Sequence, residues 1–169
     1  FLVLGVLLSG CQPQLIPFQE GDKMGYRHKD GTLVIPAQFE KADTFHCGWG
    51  RVGVKGTRLD SVWIEGYFED GGYYMYDTTA CIQYAFVNAQ GKRQDPLFER
   101  AHNYRHCRAA AQVNGQWGYR NKNGKWLVAP QFGDAQDFQG RTAEVSLAND
   151  TFWFDATINR RGKIVAQEK

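Results

Sequence analysis

The sequence predicts an all-β fold built from antiparallel β-hairpin repeats, and three observations indicate it. A unit of roughly 34 residues recurs three to four times in the chain, and a fixed period of this size is typical of repeat proteins. Pairs such as Asn-Gly and Asp-Gly separate short apolar runs within the units, which is a strong hairpin signal. Aromatic residues make up 14% of the chain and no long segment has helical periodicity, which favours many short strands.

The copies differ in completeness. The unit is clearest in the third copy, and the copies occupy residues 23–52, 84–113 and 117–145, followed by a half copy at 155–165. Because one unit cannot bury its apolar face alone, the copies are expected to pack together as a solenoid or as a barrel-like array.

Four kinds of position recur. A turn glycine follows a polar residue, and both turn residues are expected at positive φ in a type I′ turn: Gly31, Gly91, Gly124 and Gly162. A small residue stands six positions earlier, where a larger side chain would collide with a neighbouring backbone: Gly25, Ala85, Gly118 and Ala156. Aromatic residues predict the core: Tyr26, Phe39, Phe45, Phe86, Phe98, Tyr104, Tyr119, Phe132 and Phe138. Proline is placed where the second strand ends, since it cannot donate to a ladder.

The segments between the later aromatic residues are short and polar. Residues 40–44, 100–103 and 133–137 are the only plausible helical turns, and they could equally be irregular loops.

These positions resemble the WG repeat family of bacterial proteins. That family's pattern runs Trp-Gly-Tyr, a glycine turn, Ile-Pro-x-x-Phe and Asp-Ala-x-x-Phe, and the resemblance extends over residues 23–165. The pair that gives the family its name is in register at Trp117-Gly118, whereas Trp49-Gly50 is out of register. The resemblance implies a non-catalytic interaction or structural module, often found in exported or envelope proteins.

The amino terminus reads as a targeting segment. Residues 1–10 are apolar apart from Ser9. This stretch is too short to span a bilayer but has the length of a signal-peptide core. Leu8-Ser9-Gly10-Cys11 resembles the bacterial lipobox, which implies lipidation of Cys11, and two or more acyl chains anchor stably. The alternative is a chance cysteine after an ordinary signal peptide. Gln12, and not an aspartate, follows this cysteine, and in organisms that sort lipoproteins that pattern resembles outer-membrane cargo.

The chain is therefore divided into three parts. Residues 1–10 are expected to be a truncated signal peptide, residues 11–21 a lipidated tether, and residues 22–169 the repeat domain. The location implied is the bacterial cell envelope, with the protein anchored in the outer membrane and facing the periplasm.

An insertion at residues 56–83 separates the first two copies. Asp70-Gly71-Gly72 between aromatic runs predicts a long β-hairpin, and insertions in repeat proteins often map to the binding face. The candidate surface for a glycan or peptide is Trp63, Tyr67, Tyr73, Tyr74 and Tyr76. The alternative is a hairpin whose rings are half buried against the repeat core. The insertion is acidic, but a calcium site is disfavoured because EF-hand spacing is absent.

Three cysteines follow Cys11. An oxidising compartment predicts a disulfide, and Cys47 and Cys107 lie in nearly equivalent turns, with Cys81 as the alternative partner. A zinc site of His46-Cys47 and His106-Cys107 is disfavoured, because adjacent residues of a strand point to opposite faces.

The sequence carries no catalytic signature of the Gly-x-Ser-x-Gly, His-Glu-x-x-His or Walker type. His28 and His102 occupy polar repeat positions and are expected to be solvated. The net charge is +2 with no basic stripe along the sequence, so nucleic acid is not an expected partner. No catalytic residue, metal or cofactor is predicted.

The leading hypothesis is a lipid-anchored envelope protein whose β-repeat module is a non-catalytic scaffold, either structural or binding an unidentified envelope protein or glycan. The alternative is a cell-wall-directed hydrolase or an enzyme inhibitor that uses the aromatic insertion as its site.

Overall fold

The structure, a computed structural model, describes residues 15–64, 73–148 and 153–167, and their regular structure is entirely β. The strands form four separate antiparallel sheets, which we name A to D in chain order. The predicted all-β fold of hairpin repeats is confirmed. Within the described residues, no helix is long and apolar enough to cross a membrane.

Sheets B, C and D repeat one four-stranded arrangement, and sheet A repeats its three long strands without a described short first strand. Sheet A has β1 (Ile16–Glu20), β2 (Lys23–Arg27) and β3 (Leu33–Phe39). Sheet B has β4 (Lys41–Ala42), β5 (Trp49–Ile64), β6 (Tyr73–Asn88) and β7 (Arg93–Phe98). Sheet C has β8 (Arg100–Ala101), β9 (Arg108–Val113), β10 (Gln116–Asn121) and β11 (Trp126–Phe132). Sheet D has β12 (Asp134–Ala135), β13 (Thr142–Ala148), β14 (Trp153–Asn159) and β15 (Ile164–Gln167). Within each sheet, neighbouring strands follow one another along the chain.

The structural unit is offset from the sequence unit. Val52 ends the first sequence copy, yet it pairs with Ala85 of the second copy within sheet B. Sheets B, C and D therefore each join the last two strands of one copy to the first two strands of the next. The half copy at 155–165 likewise completes sheet D: its strand β14 pairs with β13 of the third copy and with β15.

The tether prediction differs from the structure at its carboxyl end. Residues 16–20 form β1, which pairs with β2 along its whole length, and Leu15 is buried. The folded domain thus includes residues that looked like a polar linker, because Ile16 and Phe18 supply an apolar strand next to β2. Residues 1–14, with the predicted signal peptide and Cys11, lie outside the described residues.

The segments predicted as helical turns are not helical. Each contains a two-residue strand, β4, β8 or β12, which pairs with the next long strand of its sheet. The residues that follow these short strands are irregular up to a single bridge, such as that between Gln139 and Thr142.

The recurring glycine turns have a different geometry from the one predicted. Gly124 has φ of +74°, but the residue before it, Asn123, does not have a positive φ. The Gly124 N–H donates to the Asn121 carbonyl at 2.9 Å, and the Asn121 N–H donates to the Lys125 carbonyl at 2.9 Å. These bonds describe a type I turn followed by a left-handed glycine, so the type I′ prediction is wrong at these turns. Asn114-Gly115, between β9 and β10, has both φ angles positive, at +52° and +73°.

An asparagine side chain holds three of these turns. The Asn121 side-chain oxygen accepts the N–H groups of Asn123 and Lys125 at 2.9 and 3.2 Å. Asn88 and Asn159 make the same pair of hydrogen bonds in their own turns. This role was missed in the sequence, although Asn-x-x-Gly-Lys is repeated there three times.

A bulge explains the recurring small residue. Trp117 pairs with Phe132 and Tyr119 with Val128, so β11 bends over the single residue Gly118. A Cβ on Gly118 would lie 2.7 Å from both the Val128 carbonyl oxygen and the Pro130 nitrogen. The proline lies within this bulge and not at the strand end as predicted, because a bulge also tolerates a missing N–H.

Three apolar cores lie between consecutive sheets. Tyr26 of sheet A packs with Val52 and Ala85 of sheet B, and the two later interfaces repeat this arrangement. All nine recurring aromatic residues are buried. The Tyr119 hydroxyl also donates to the Gln136 carbonyl at 2.7 Å, which ties sheet C to the segment between β12 and β13 of sheet D. The result is a linear array with one core for each pair of neighbouring sheets.

Candidate functional site

The array has two chemically different ends. In sheet B, Trp49 pairs with Asn88 at one end and Ile64 pairs with Tyr73 at the other. We call the first the turn end, since it holds the four glycine turns at residues 28–32, 88–92, 121–125 and 159–163. We call the second the hairpin end, since it holds the connections β1–β2, β5–β6 and β9–β10.

Sheet B extends far beyond its neighbours at the hairpin end. Strands β5 and β6 have 16 residues each, whereas β9 and β10 of sheet C have six each. We call residues 57–64 and 73–80 the ribbon; its eight cross-strand pairs project by about 25 Å at the usual rise per residue. Among the described residues, β4 pairs only with Val52 and Gly53, and β7 pairs with β6 no further out than Tyr84. No described strand therefore pairs with the outer edge of either ribbon strand.

The ribbon exposes large apolar side chains. It holds six of the nine that are exposed among the described residues: Leu59, Val62, Tyr73, Tyr74, Met75 and Tyr76. Since directly opposite residues share a face, Tyr74, Tyr76 and Leu59 lie on one face and Tyr73, Met75 and Val62 on the other. The exposed fractions of Tyr73, Tyr74 and Tyr76 are 61%, 58% and 64%, so these rings do not pad the repeat core.

The predicted stacking surface is therefore divided between two faces. Tyr67, the Asp70-Gly71-Gly72 turn and the side chain of Trp63 lie outside the described residues. The remaining three tyrosines do not form one continuous platform, because adjacent residues of a strand point in opposite directions.

The ribbon also carries acidic groups. Asp60 and Asp77 are directly opposite each other in the register. The Arg58 Nε–H donates to Asp60 Oδ1 at 2.7 Å, and this hydrogen bond is the main reason that the pKa of Asp60 is lowered. The ribbon thus combines apolar anchors with carboxylates.

A second cluster lies in a groove between sheets C and D at the turn end. His102 Nδ1 is 3.0 Å from Asp137 Oδ1, and the Arg105 Nε–H donates to Asp137 Oδ2 at 2.9 Å. The His102 ring lies 5.0 Å from the ring of Trp117. His102 is therefore paired, where the sequence predicted a solvated side chain. The hydrogen bond from His102 is the main cause that lowers the pKa of Asp137, and a carboxylate whose two oxygens are engaged by a histidine and an arginine is a poor general base.

The cysteines join two neighbouring sheets. In the structure, the sulfur atoms of Cys47 and Cys107 are bonded and their Cα atoms are 5.3 Å apart. The bond connects the turn before β5 to the turn before β9, while Cys81 on β6 is a free thiol. In the part of the chain that the structure describes, no group of three or more His, Cys, Asp or Glu residues could hold a metal ion.

Two further residues connect sheets B and C. Trp49, set aside as out of register, donates its indole N–H to the Lys122 carbonyl at 2.8 Å and stacks on Tyr104. Arg120 is buried, and its guanidinium lies 5.0 Å from the Phe98 ring and 5.1 Å from the Trp126 ring. Burial lowers the pKa of Arg120. Neither role has a signal in the repeat pattern, because each depends on a contact with the neighbouring sheet.

Stacked antiparallel sheets with one core per interface define a β-repeat protein. Residues 24–57 and 117–141 match the model of the WG containing repeat. These two segments are therefore similar to WG repeats, as the residues around Trp117-Gly118 indicate. No curated protein and no solved structure matches the chain.

Proposed function

We propose that this chain is a lipid-anchored bacterial envelope protein whose repeat array is a non-catalytic scaffold and whose ribbon binds a partner protein. The observation that carries the proposal is the ribbon itself, which projects from the array with six exposed apolar side chains and two edges that no described strand pairs with. The proposed location is the outer membrane, with the repeat domain facing the periplasm.

The ribbon's composition supports a binding role. A two-stranded hairpin without a packing partner is marginally stable in water, and a concentration of exposed apolar side chains favours aggregation unless something covers it. Tyrosines are frequent anchors of interfaces, because they offer apolar area and a polar tip with few rotatable bonds. Tyr73, Tyr74 and Tyr76 are the anchors on this ribbon.

A protein fits the ribbon better than a glycan does. Leu59, Val62 and Met75 accompany the tyrosines on both faces, and aliphatic side chains offer sugar rings no stacking surface. No described strand pairs with the outer edges of the ribbon, so an extended segment of another protein could add to the sheet there, as in strand addition. A glycan remains the alternative ligand for the tyrosines.

The alternative of a hydrolase finds less support. The ribbon's carboxylate Asp60 is hydrogen-bonded to Arg58, and the His102–Asp137 pair also engages Arg105. Both clusters have the geometry of structural ion pairs. WG repeats also support a repeat-based module and not a catalytic class.

Shortening the ribbon tests the proposed binding site. We expect that replacing residues 57–80 by Asn-Gly, the turn that closes β9–β10, leaves a folded array that no longer cross-links to its envelope partner. A milder variant, Leu59→Ser with Tyr76→Ser, should weaken the same adduct, because both side chains lie on one face. The matched control is Leu33→Ser with Ile164→Ser, which alters two exposed apolar residues off the ribbon. Far-ultraviolet circular dichroism and urea unfolding check the fold, and a folded short-ribbon variant that keeps its partner would refute the site.

Lipidation is tested separately at Cys11. In the full-length precursor, Cys11→Ser removes the thiol that would carry the lipid. We expect the variant to leave the detergent phase on phase partitioning, or to remain an uncleaved precursor. Partitioning that equals that of the wild type would contradict the lipid anchor.

A further inference from the structure

The turn end of the array is strongly basic. The four turns at residues 28–32, 88–92, 121–125 and 159–163 contain seven of the 20 Lys and Arg residues of the chain but only one of its 18 Asp and Glu residues, Asp30. Their net charge is 7 − 1 = +6, so the rest of the chain carries 13 − 17 = −4. No basic stripe is visible along the sequence, because these residues are about 30–60 positions apart and only the repeat fold brings them together.

The contacts between sheets place the four turns side by side. Gly91 lies against the Ile35 side chain of sheet A, Gly124 against Gln94 of sheet B, and Gly162 against Val128 of sheet C. Each turn thus packs on the same strand of the preceding sheet. The bond between Cys47 and Cys107 joins the turn before β5 to the turn before β9, next to the glycine turns. The Lys and Arg side chains of these turns, such as Lys122, Lys125 and Arg161, are exposed.

The chain enters the array at this same end. Ile16, the first residue of β1, pairs with Arg27, directly before the first of the four turns. Cys11 is five residues before Ile16, so an extended chain reaches at most about 18 Å. A lipid on Cys11 would therefore hold the turn end close to the bilayer.

We propose that the turn end is a membrane-docking face that contacts the anionic phospholipid headgroups of the leaflet holding the anchor. The orientation of the turn end towards the membrane rests on the proposed lipidation of Cys11, whereas the positive charge of this face is independent of it. Basic residues near an anionic leaflet each raise the affinity by a factor of about five, and this attraction fades beyond a Debye length of about 10 Å. The ribbon, at the opposite end, then points away from the membrane and towards a partner.

Vesicle binding tests the docking face without the lipid. The full chain with Cys11→Ser is mixed with sedimenting vesicles of phosphatidylglycerol and phosphatidylcholine, or of phosphatidylcholine alone. We expect binding to the anionic vesicles only, with an affinity that falls as salt is raised. Lys122→Glu with Lys125→Glu should lower that affinity by at least about tenfold, because each reversal removes an attraction and adds a repulsion. The matched control, Lys41→Glu with Lys55→Glu, changes two exposed lysines away from the turn end and should have little effect.

Three outcomes would overturn the docking face. These are equal binding to neutral vesicles, an equal loss in both double variants, and binding to a single-stranded oligonucleotide without binding to anionic vesicles. Because this assay uses the unlipidated chain, its failure is distinct from a failure of Cys11→Ser to release the precursor, which would refute the anchor alone. Vesicle binding in the absence of lipidation would still support the basic face.

Discussion

Replacing Phe138 by alanine should lower the free energy of unfolding by about 3–5 kcal/mol, as truncation of a buried phenylalanine does. The Phe138 side chain is buried between sheets C and D, and its ring meets the Tyr119 ring edge-on with the centroids 4.9 Å apart. The Arg108 guanidinium carbon lies 5.3 Å from the centroid of the Phe138 ring. Truncation would leave a cavity at the interface and remove the aromatic surface beside a partly buried cation.

The ribbon offers a matched control for this change. Tyr76→Ala also removes an aromatic ring, but from an exposed position, and is expected to change stability by no more than about 0.5 kcal/mol. The difference in stability between the two variants is measured from their urea unfolding midpoints, provided that the free energy of unfolding depends equally steeply on urea in both. Equal midpoints would contradict the interface core and move Phe138 to the surface.

Replacing Gly118 by valine should also be strongly destabilising, by about 3 kcal/mol, because the new side chain overpacks a site bounded by backbone. The Cβ alone would come within 2.7 Å of the Val128 carbonyl oxygen and the Pro130 nitrogen, and neither can rotate away. Sheet B has Ala85 at a bulge of the same register, so a methyl group is tolerated there, and the cost at Gly118 is expected from the two further methyl groups of valine. In sheet D the pairing around Ala156 is different.

Gln116→Val on the same strand is the control for strand propensity. Gln116 is exposed two residues before Gly118, so valine there should change stability by no more than about 0.5 kcal/mol. Thermal unfolding of both variants distinguishes crowding from a general effect of valine on β10. A Gly118→Val variant as stable as the wild type would refute the close approach of β11.

The local chemistry of the fold is visible in the sequence, but its unit boundaries are not. Turn glycines, small residues and alternating aromatics each have a local cause, so Gly124, Gly118 and Phe132 could be assigned without a structure. A repeat period, however, has no natural starting point. The strands pair across the boundary between copies, which is why β1 looked like a tether and the last half copy looked incomplete.

The type of the glycine turns could have been predicted correctly from the sequence alone. Glycine at positive φ suits both a type I′ turn and a type I turn with a bulge, so Gly124 does not decide between them. Asn121, three residues before Gly124, does point to the second type, because its side chain can accept the turn N–H groups.

The candidate surfaces depend on contacts that no local pattern encodes. The long hairpin at residues 56–83 was predictable, but its two exposed faces follow from β4 and β7 pairing only near its base. The basic turn end arises only when the turns at Gly91, Gly124 and Gly162 pack against successive sheets. Trp49 is a similar case, since its partner Lys122 is 73 residues away.

Site-specific photo-crosslinking in intact envelopes tests the proposed binding ribbon most directly. A photoreactive residue at position 76 replaces an exposed ribbon tyrosine, and one at position 116 replaces the exposed Gln116, which is at the hairpin end but off the ribbon. The proposal predicts one dominant protein adduct from position 76 and none from position 116. An adduct from position 116 alone, or none from position 76, would contradict a ribbon that binds the partner.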